Sequence, residues 1–371
     1  MPSVETEASP ARQYAAIRYR LLLPELLGSM AWLAFLQGSG IPQSVARWWA
    51  RAVGPSWLMI LGYLAVIGTL SYLVFLPLHV YRSLLLERRF GLSRLSLRGW
   101  LAREAKRVAL SGLLALGLIE GLYALLRHAP GSWPVWATLG WVTVSVMMVR
   151  VFPTVVLPLF YRVTPLEDRG LAERLLALCR RVGLSALEVF RFQLGAETRK
   201  ANAALAGLGR TRRILLSDTL LESFTPDEIE GVLAHELAHQ HYHHLTVMLG
   251  LSAVGSWIAF AWTDQIGWWW TERLGLDGLA DIAGWPMLAL WFSLLGLIGL
   301  PIQNGLSRWC EWQADRFALR TTAPQAFAAA LRRLGELNLA DPTPPRWIEW
   351  LFYDHPSMTR RIDAAQRLAA S

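Results

Sequence analysis

Residues 225–239 read TPDEIEGVLAHELAH, and the start of a helix and its chemistry are both written there. Thr225 is a good N-cap, Pro226 suits the first helical turn, and Glu228 stands where a capping box needs its carboxylate. The pattern predicts a helix from near residue 226 through 244, towards the apolar run that follows. At ~100° per residue, His235 and His239 fall within ~40° of each other, one turn apart. Two imidazoles so placed can share a tetrahedral Zn²⁺ at ~2.0–2.1 Å. Glu236 is offset by one position, so it cannot easily be a ligand in the same plane, but it can take a proton from a water on the metal. The competing reading is a solvent-facing helix that carries the pattern by chance. Val232, Leu233, Leu237 and Ala238 around the histidines argue against it.

A catalytic zinc site needs a third protein ligand and one open position. The best candidate is Glu311, in Glu311-Trp312-Gln313-Ala314-Asp315. Asp315 stands one helical turn on, placed to accept a hydrogen bond from a ligand imidazole and so fix its tautomer. Two carboxylates on a solvated face is the bland alternative; Trp312, Ala314, Phe317 and Ala318 suggest a packed helix instead. Extrapolating the first helix, His241 and His244 point well away from the metal face, while His243 continues it. These three are expected to be structural or interfacial. His79 and His128 border apolar runs. His355, in Asp354-His355-Pro356-Ser357, precedes a final helix carrying Arg360, Arg361 and Arg367. A loop histidine is usually ordinary, but one near a zinc ion can steady a developing oxyanion.

The 371 residues are 54% hydrophobic with 19 Trp, and the mean hydropathy is +0.32. That is too apolar for a typical soluble domain, and Trp collects at membrane interfaces. Six stretches approach the ~20 apolar residues needed to span a bilayer: about 21–38, 57–79, 108–126, 134–160, 246–264 and 284–304. The first carries Pro24 and Glu25. Its alternative, a cleaved leader ending near Ser44-Val45-Ala46, puts the cleavage site too far beyond the apolar run. The expected loop at 80–107 holds Arg82, Arg88, Arg89, Arg94, Arg98, Arg103, Lys106 and Arg107, a cytoplasmic signal. The 265–283 segment is short of Arg, with Trp268 to Trp270 as an expected interfacial cluster. Six spans then put both termini and both polar segments in the cytoplasm. The resulting division is a four-span membrane domain (1–160), a first polar segment with the candidate metal helix (161–245), two further spans (246–304) and a second polar segment with the third candidate ligand (305–371).

The net charge of +8 is distributed beside apolar spans rather than in a nucleic-acid-binding patch, so no nucleic-acid partner is expected. Lys106 and Lys200 are the only lysines; this Arg bias favours a bacterial source and its inner membrane. Cys179 and Cys310 lack both zinc-ligand spacing and a disulfide framework. Within 161–245, residues 166–182 carry a helical apolar stripe ended by Gly183, 187–194 alternate as a strand does, and 213–217 read as a second strand.

HELAH, EWQAD and the terminal DHPS together resemble the type 1 CAAX prenyl protease family of integral-membrane zinc metallopeptidases. Glu87-Arg88-Arg89-Phe90-Gly91-Leu92-Ser93 is similar to that family's cytoplasmic loop motif. Pro158-Leu159-Phe160 with Thr164-Pro165-Leu166 is similar to its lead-in to the protease domain. Asn202-Ala203, Gly207 and residues 214–221 (ILLSDTLL) resemble the segment before its catalytic helix. The resemblance implies His235, His239 and Glu311 as ligands of one Zn²⁺ per chain and Glu236 as base. It implies a substrate-pairing edge strand at Asn202 and Ala203, and a transition-state pair in His355 and Arg361. His244 matches a further histidine whose role the residues do not give. The fold so implied is mostly α: about six membrane helices around a chamber, with a small α+β cytoplasmic protease domain. Eukaryotic members have seven spans; the shorter heat-shock membrane proteases have fewer before the zinc motif than the four found here.

The expected function is peptide hydrolysis at a membrane, on prenylated C-terminal peptides or on membrane-associated or misfolded proteins, lipidated or not. The rival readings are a catalytically silent zinc-bearing scaffold and a transporter using the chamber. Retention of Glu236, which a structural site does not need, argues against the scaffold.

Overall fold

The computed structural model describes residues 9–54, 57–184, 188–209 and 212–370. In chain order the membrane part begins with α1 (Pro10–Ser39), a short amphipathic α2 (Ile41–Val53), α3 (Trp57–Arg89), α4 (Leu97–His128) and α5 (Trp133–Phe160). A first polar segment follows with β1 (Val163–Pro165), α6 (Arg169–Arg181), β2 (Glu188–Phe192), β3 (Ala203–Ala206), β4 (Arg213–Ser217), α7 (Asp218–Ser223) and α8 (Pro226–His241). Two long helices come next, α9 (His244–Arg273) and α10 (Trp285–Thr321), and then α11 (Pro324–Leu337), α12 (Arg346–Phe352) and α13 (Met358–Ala370). The expected strand at 187–194 is β2; Leu187 lies outside the described residues.

Six of these helices, α1, α3, α4, α5, α9 and α10, are long and apolar enough to cross a membrane. Each packs on the next in the order α1, α10, α9, α5, α4, α3. Trp32 of α1 closes the ring by donating from Nε1 to Ser71 Oγ of α3 at 2.9 Å. Two other seams are also pinned by polar contacts: Trp133 Nε1 donates to Asp264 Oδ1 at 2.7 Å between α5 and α9, and Trp291 Nε1 to Thr263 Oγ1 at 3.0 Å between α10 and α9. Yet at most 22% of the residues in any of the six apolar windows are buried. A helix in a solid bundle would bury far more, so these helices are uncovered on the inside of the ring as well as outside. The ring encloses a chamber.

Buried side chains gather instead at the two ends. At one end Leu36, Ile60, Tyr63, Tyr123, Trp133 and Trp270 make a roof. Trp268 and Trp269 are exposed, but Trp270 turns into this roof, so only the first two stay free to meet a membrane interface. At the other end α6, α8, α11 and α13 bury Leu175, Leu178, Leu233, Leu237, Phe327 and Ala365 with Ile214 and Leu216 of β4. The sheet order is β1-β2-β4-β3, with β2 and β4 parallel and both outer pairs antiparallel. Leu215, Phe190 and Phe192 face the opposite side of the sheet onto Leu157. Burial on both faces explains why β4 reads as a continuous apolar run. β3 is an edge strand.

The basic segment 80–107 is mostly not a loop: α3 runs to Arg89 through a π-helical turn (Tyr81–Leu86), and α4 begins at Leu97. Its short connection lies at the end that carries the small sheet, where Arg94 N donates to Glu197 O at 2.7 Å and Ser93 pairs with Thr198.

Candidate metal centre and active site

Both halves of the capping box at Thr225 and Glu228 are formed, so α8 starts where the sequence places it. It does not run to 244. The helix ends at His241, and His243 adopts φ 54°, ψ 33°, the left-handed conformation, before α9 restarts at His244. Gly231 lets α11 approach closely: a Cβ there would lie 3.2 Å from Phe327 Cα. Phe327 in turn stacks on the His235 ring with centroids 6.2 Å apart. Against the other flank of α8 lies α10, a single 37-residue helix that carries the sixth span without interruption into Glu311 and Asp315.

These two helices bring His235, His239 and Glu311 together. His235 Nε2 is 3.3 Å from His239 Nε2 and 3.3 Å from Glu311 Oε2, and His239 Nε2 is 3.3 Å from Glu311 Oε1. Ligands ~2.0–2.1 Å from a tetrahedral ion stand about 3.3–3.4 Å from each other, so the donor spacing fits zinc. Glu311 Oε2 is buried and accepts no hydrogen bond among the described residues, which a cation would satisfy. Glu236 is half-buried and lies outside this donor set.

Behind His235, Nδ1 is 2.9 Å from Asp315 Oδ1. Arg361 holds the same carboxylate with both ends of its guanidinium, Nε to Oδ2 at 2.8 Å and Nη2 to Oδ1 at 2.6 Å. Burial alone would push the His235 pKa down, but the Asp315 and Glu311 carboxylates outweigh it and raise it to about 9 in the metal-free chain. Arg361 is buried and committed to Asp315, with Nη2 3.7 Å from Glu311 Oε2.

His355 approaches from the loop after α12. Its Nε2 lies 3.3 Å from Glu311 Oε1, and its Nδ1 lies 2.8 Å from Asp354 Oδ1. Burial works against its charge, but Asp354 and Glu311 more than offset this and raise its pKa above the ordinary imidazole value. Asn202 directly precedes edge strand β3; its N–H donates to Ser217 Oγ and its C=O accepts from Ser217 N–H, both at 2.9 Å, leaving the side chain exposed. Ala203 opens β3, paired with Leu216.

Beside His239 a cavity of ≈ 520 Å³ is lined by Met148 and Phe152 of α5, Leu205 of β3, Met248 of α9 and Cys310 of α10. Both cysteines are free and buried.

The uniform-helix extrapolation beyond His239 is overturned. His243 is exposed rather than on the metal face, and His244 is buried with Nδ1 3.0 Å from His239 Nδ1 and Nε2 2.9 Å from Gln313 Oε1. The physical reason is the left-handed residue, which turns the chain through an angle no helical wheel contains. HQHYHH has neither Gly nor Pro, so no breaker signal announced it. Gln313 likewise carries no sequence signal beyond its place two residues after Glu311.

Residues 165–369 match the profile of peptidase family M48, and residues 4–162 match one described as CAAX prenyl protease N-terminal, five membrane helices. Over 370 residues the chain is 25% identical to an uncharacterized metalloprotease, YhfN, of Bacillus subtilis, covering 98% of this chain and 86% of that one. It is 26% identical over 322 residues to CAAX prenyl protease 1 of Saccharomyces cerevisiae, covering 81% and 71%. The crystal structure of S. mikatae Ste24p superposes with a TM-score of 0.85 at 24% identity, covering 98% of this chain and 91% of that one, and shares its fold. With a zinc-compatible donor set between two helices of a membrane ring and a profile match over more than half its length, the chain belongs to peptidase family M48 and is an integral-membrane zinc endopeptidase.

Proposed function

We propose that this endopeptidase cleaves extended peptide segments with a large apolar group near the scissile bond, at the cytoplasmic side of its membrane. The observation that carries the reading is the apolar cavity between His239 and β3, beside a strand edge with no partner in the sheet. A peptide added to that edge, running past the exposed Asn202 side chain and along the strand from Ala203, would meet backbone groups that face away from β4 and present alternate side chains to the cavity. The yeast relative is named a CAAX prenyl protease, which makes a lipidated C-terminal peptide one occupant of such a cavity. Apolar segments of membrane-associated or misfolded proteins are the other.

One zinc ion per chain, held by His235, His239 and Glu311, would supply electrophilic polarisation of the scissile carbonyl and acidification of a water molecule. Glu236 takes the proton of the attacking water and passes it to the leaving amine. His355 donates from Nε2 to the oxygen that gains charge, with Asp354 holding the ring by Nδ1. Asp315 orients His235, and Arg361 holds Asp315. The cytoplasmic orientation follows from the eight basic residues of 80–107, which sit at the metal-centre end of the ring.

The full chain in lipid nanodiscs, supplied with a farnesylated peptide, its unmodified counterpart and an unmodified apolar peptide, tests the reading. Cleavage of apolar or lipidated peptides, abolished by a chelator and restored by zinc, is the expected result. Preference for polar peptides would defeat the substrate assignment.

A further inference from the structure

We propose that His244 is a positioning residue for the metal centre: it accepts the Nδ1–H of His239 and so fixes which nitrogen of His239 faces the metal. The proposal rests on the ligand assignment above.

The chain of protons follows from the distances. His239 turns Nε2 to the donor set, 3.3 Å from both Glu311 Oε1 and His235 Nε2, so a metal there takes that lone pair. Its proton is then on Nδ1, 3.0 Å from His244 Nδ1. His244 must accept at Nδ1, which places its own proton on Nε2, 2.9 Å from Gln313 Oε1. An amide oxygen can only accept, so the direction is set from Gln313 back to the metal. Gln313 sits on α10 two residues after Glu311, so the helix that contributes the carboxylate also anchors the relay.

His244 is held for this role. It is buried, Tyr242 stacks on its ring at 5.7 Å with an interplanar angle of 24°, and Trp309 lies 6.4 Å away. The left-handed His243 is what aims it: a non-glycine residue in that region persists only where the surroundings demand it. The two ligand imidazoles are therefore backed differently. His235 has an anion behind it, Asp315, itself clamped by Arg361; His239 has a neutral ring. An imidazole supported by a carboxylate is the more basic donor, so His239 is the weaker of the two ligands and depends on His244 for its orientation.

The test uses the full chain in detergent, with zinc affinity measured by chelator competition and the absorption spectrum of the Co²⁺-substituted protein as the geometric readout. Thermal stability of the chelator-treated chain controls for folding. His244→Leu removes the acceptor and should lower zinc affinity about 10–100-fold and change the cobalt spectrum. His244→Asn, whose Oδ1 can take the same hydrogen bond, should stay within about threefold of the parent and keep its spectrum. Gln313→Leu, which leaves every ring in place, should loosen the tautomer and give a smaller loss with an altered spectrum. Parental affinity and spectrum in His244→Leu, or equal losses in the Asn and Leu variants at matched metal-free stability, would overturn the proposal. If His244→Leu does not fold, a parental spectrum and affinity in Gln313→Leu overturns it. Failure of the parent chain to bind zinc would sink the metal assignment and this proposal with it, whereas failure of the proposal alone leaves parental binding intact.

Discussion

Asp315 accepts from His235 Nδ1 at 2.9 Å while Arg361 grips the same carboxylate through Nε and Nη2. The arginine comes from α13, near the end of the chain, the carboxylate from the extension of the sixth span, and the imidazole from α8. Three elements far apart in sequence thus meet behind one ligand, and the bidentate geometry fixes the carboxylate plane.

Arg361→Lys should therefore not restore what Arg361→Met loses, because an ammonium cannot hold both carboxylate oxygens in one plane. Both variants are expected to weaken zinc binding about 10–100-fold, measured by chelator competition. A role confined to the transition state would instead leave zinc affinity intact and lower kcat alone.

Glu236→Gln and Glu311→Ala should fail in different ways. The first is expected to keep its zinc by elemental analysis and lose about 10²–10⁴-fold in turnover. The second should lose the metal itself. Full activity in metal-replete Glu236→Gln would remove Glu236 as the base, and undiminished zinc in Glu311→Ala would remove Glu311 as a ligand.

Zinc affinity should climb with pH further than an ordinary imidazole allows. The metal-free His235 pKa is raised to about 9, so its protonated form is favoured below that value and is lost above it. A proton then competes with the metal from the usual imidazole range, ~6.5, up to about 9, and affinity should rise about tenfold per pH unit across that window. Titrations of zinc binding between pH 6 and 10 check this. Levelling off near pH 6.5 would show that Asp315 and Glu311 do not raise His235.

Gly231→Leu should destabilise the protease end by about 1–3 kcal/mol through overpacking. The added side chain would meet Phe327 backbone, 3.2 Å from the first added carbon, and Phe327 is the ring that backs His235. Thermal unfolding in detergent, followed with and without zinc, should show a lower midpoint in both states. An unchanged midpoint would mean that α8 and α11 can separate freely.

Much of the site was legible in residues 225–239 because its determinants act over one or two turns. The cap at Thr225, the pairing of His235 with His239 and the offset of Glu236 are properties of a single helix. Legibility stopped at Tyr242–His243. Whether a non-glycine residue turns left-handed depends on what holds the chain next to it, here the contacts of the following His244 with His239, Gln313 and Trp309, and two of these lie about 65 residues on, in α10. The same limit explains α10: apolar length located the span, but only its packing against α8 shows that the helix continues unbroken through Glu311.

Residue type and spacing alone determined that this chain carries, among its described residues, six helices long and apolar enough to cross a membrane and one helix able to hold a metal, since hydropathy and helical periodicity are local quantities. Tertiary structure decided the closure of the six helices into a ring, the convergence of Glu311 on both imidazoles, and the seating of Asp315 and His244 behind them. Those depend on packing between segments up to hundreds of residues apart, where a side chain's direction is set by the surface it meets rather than by its neighbours along the chain.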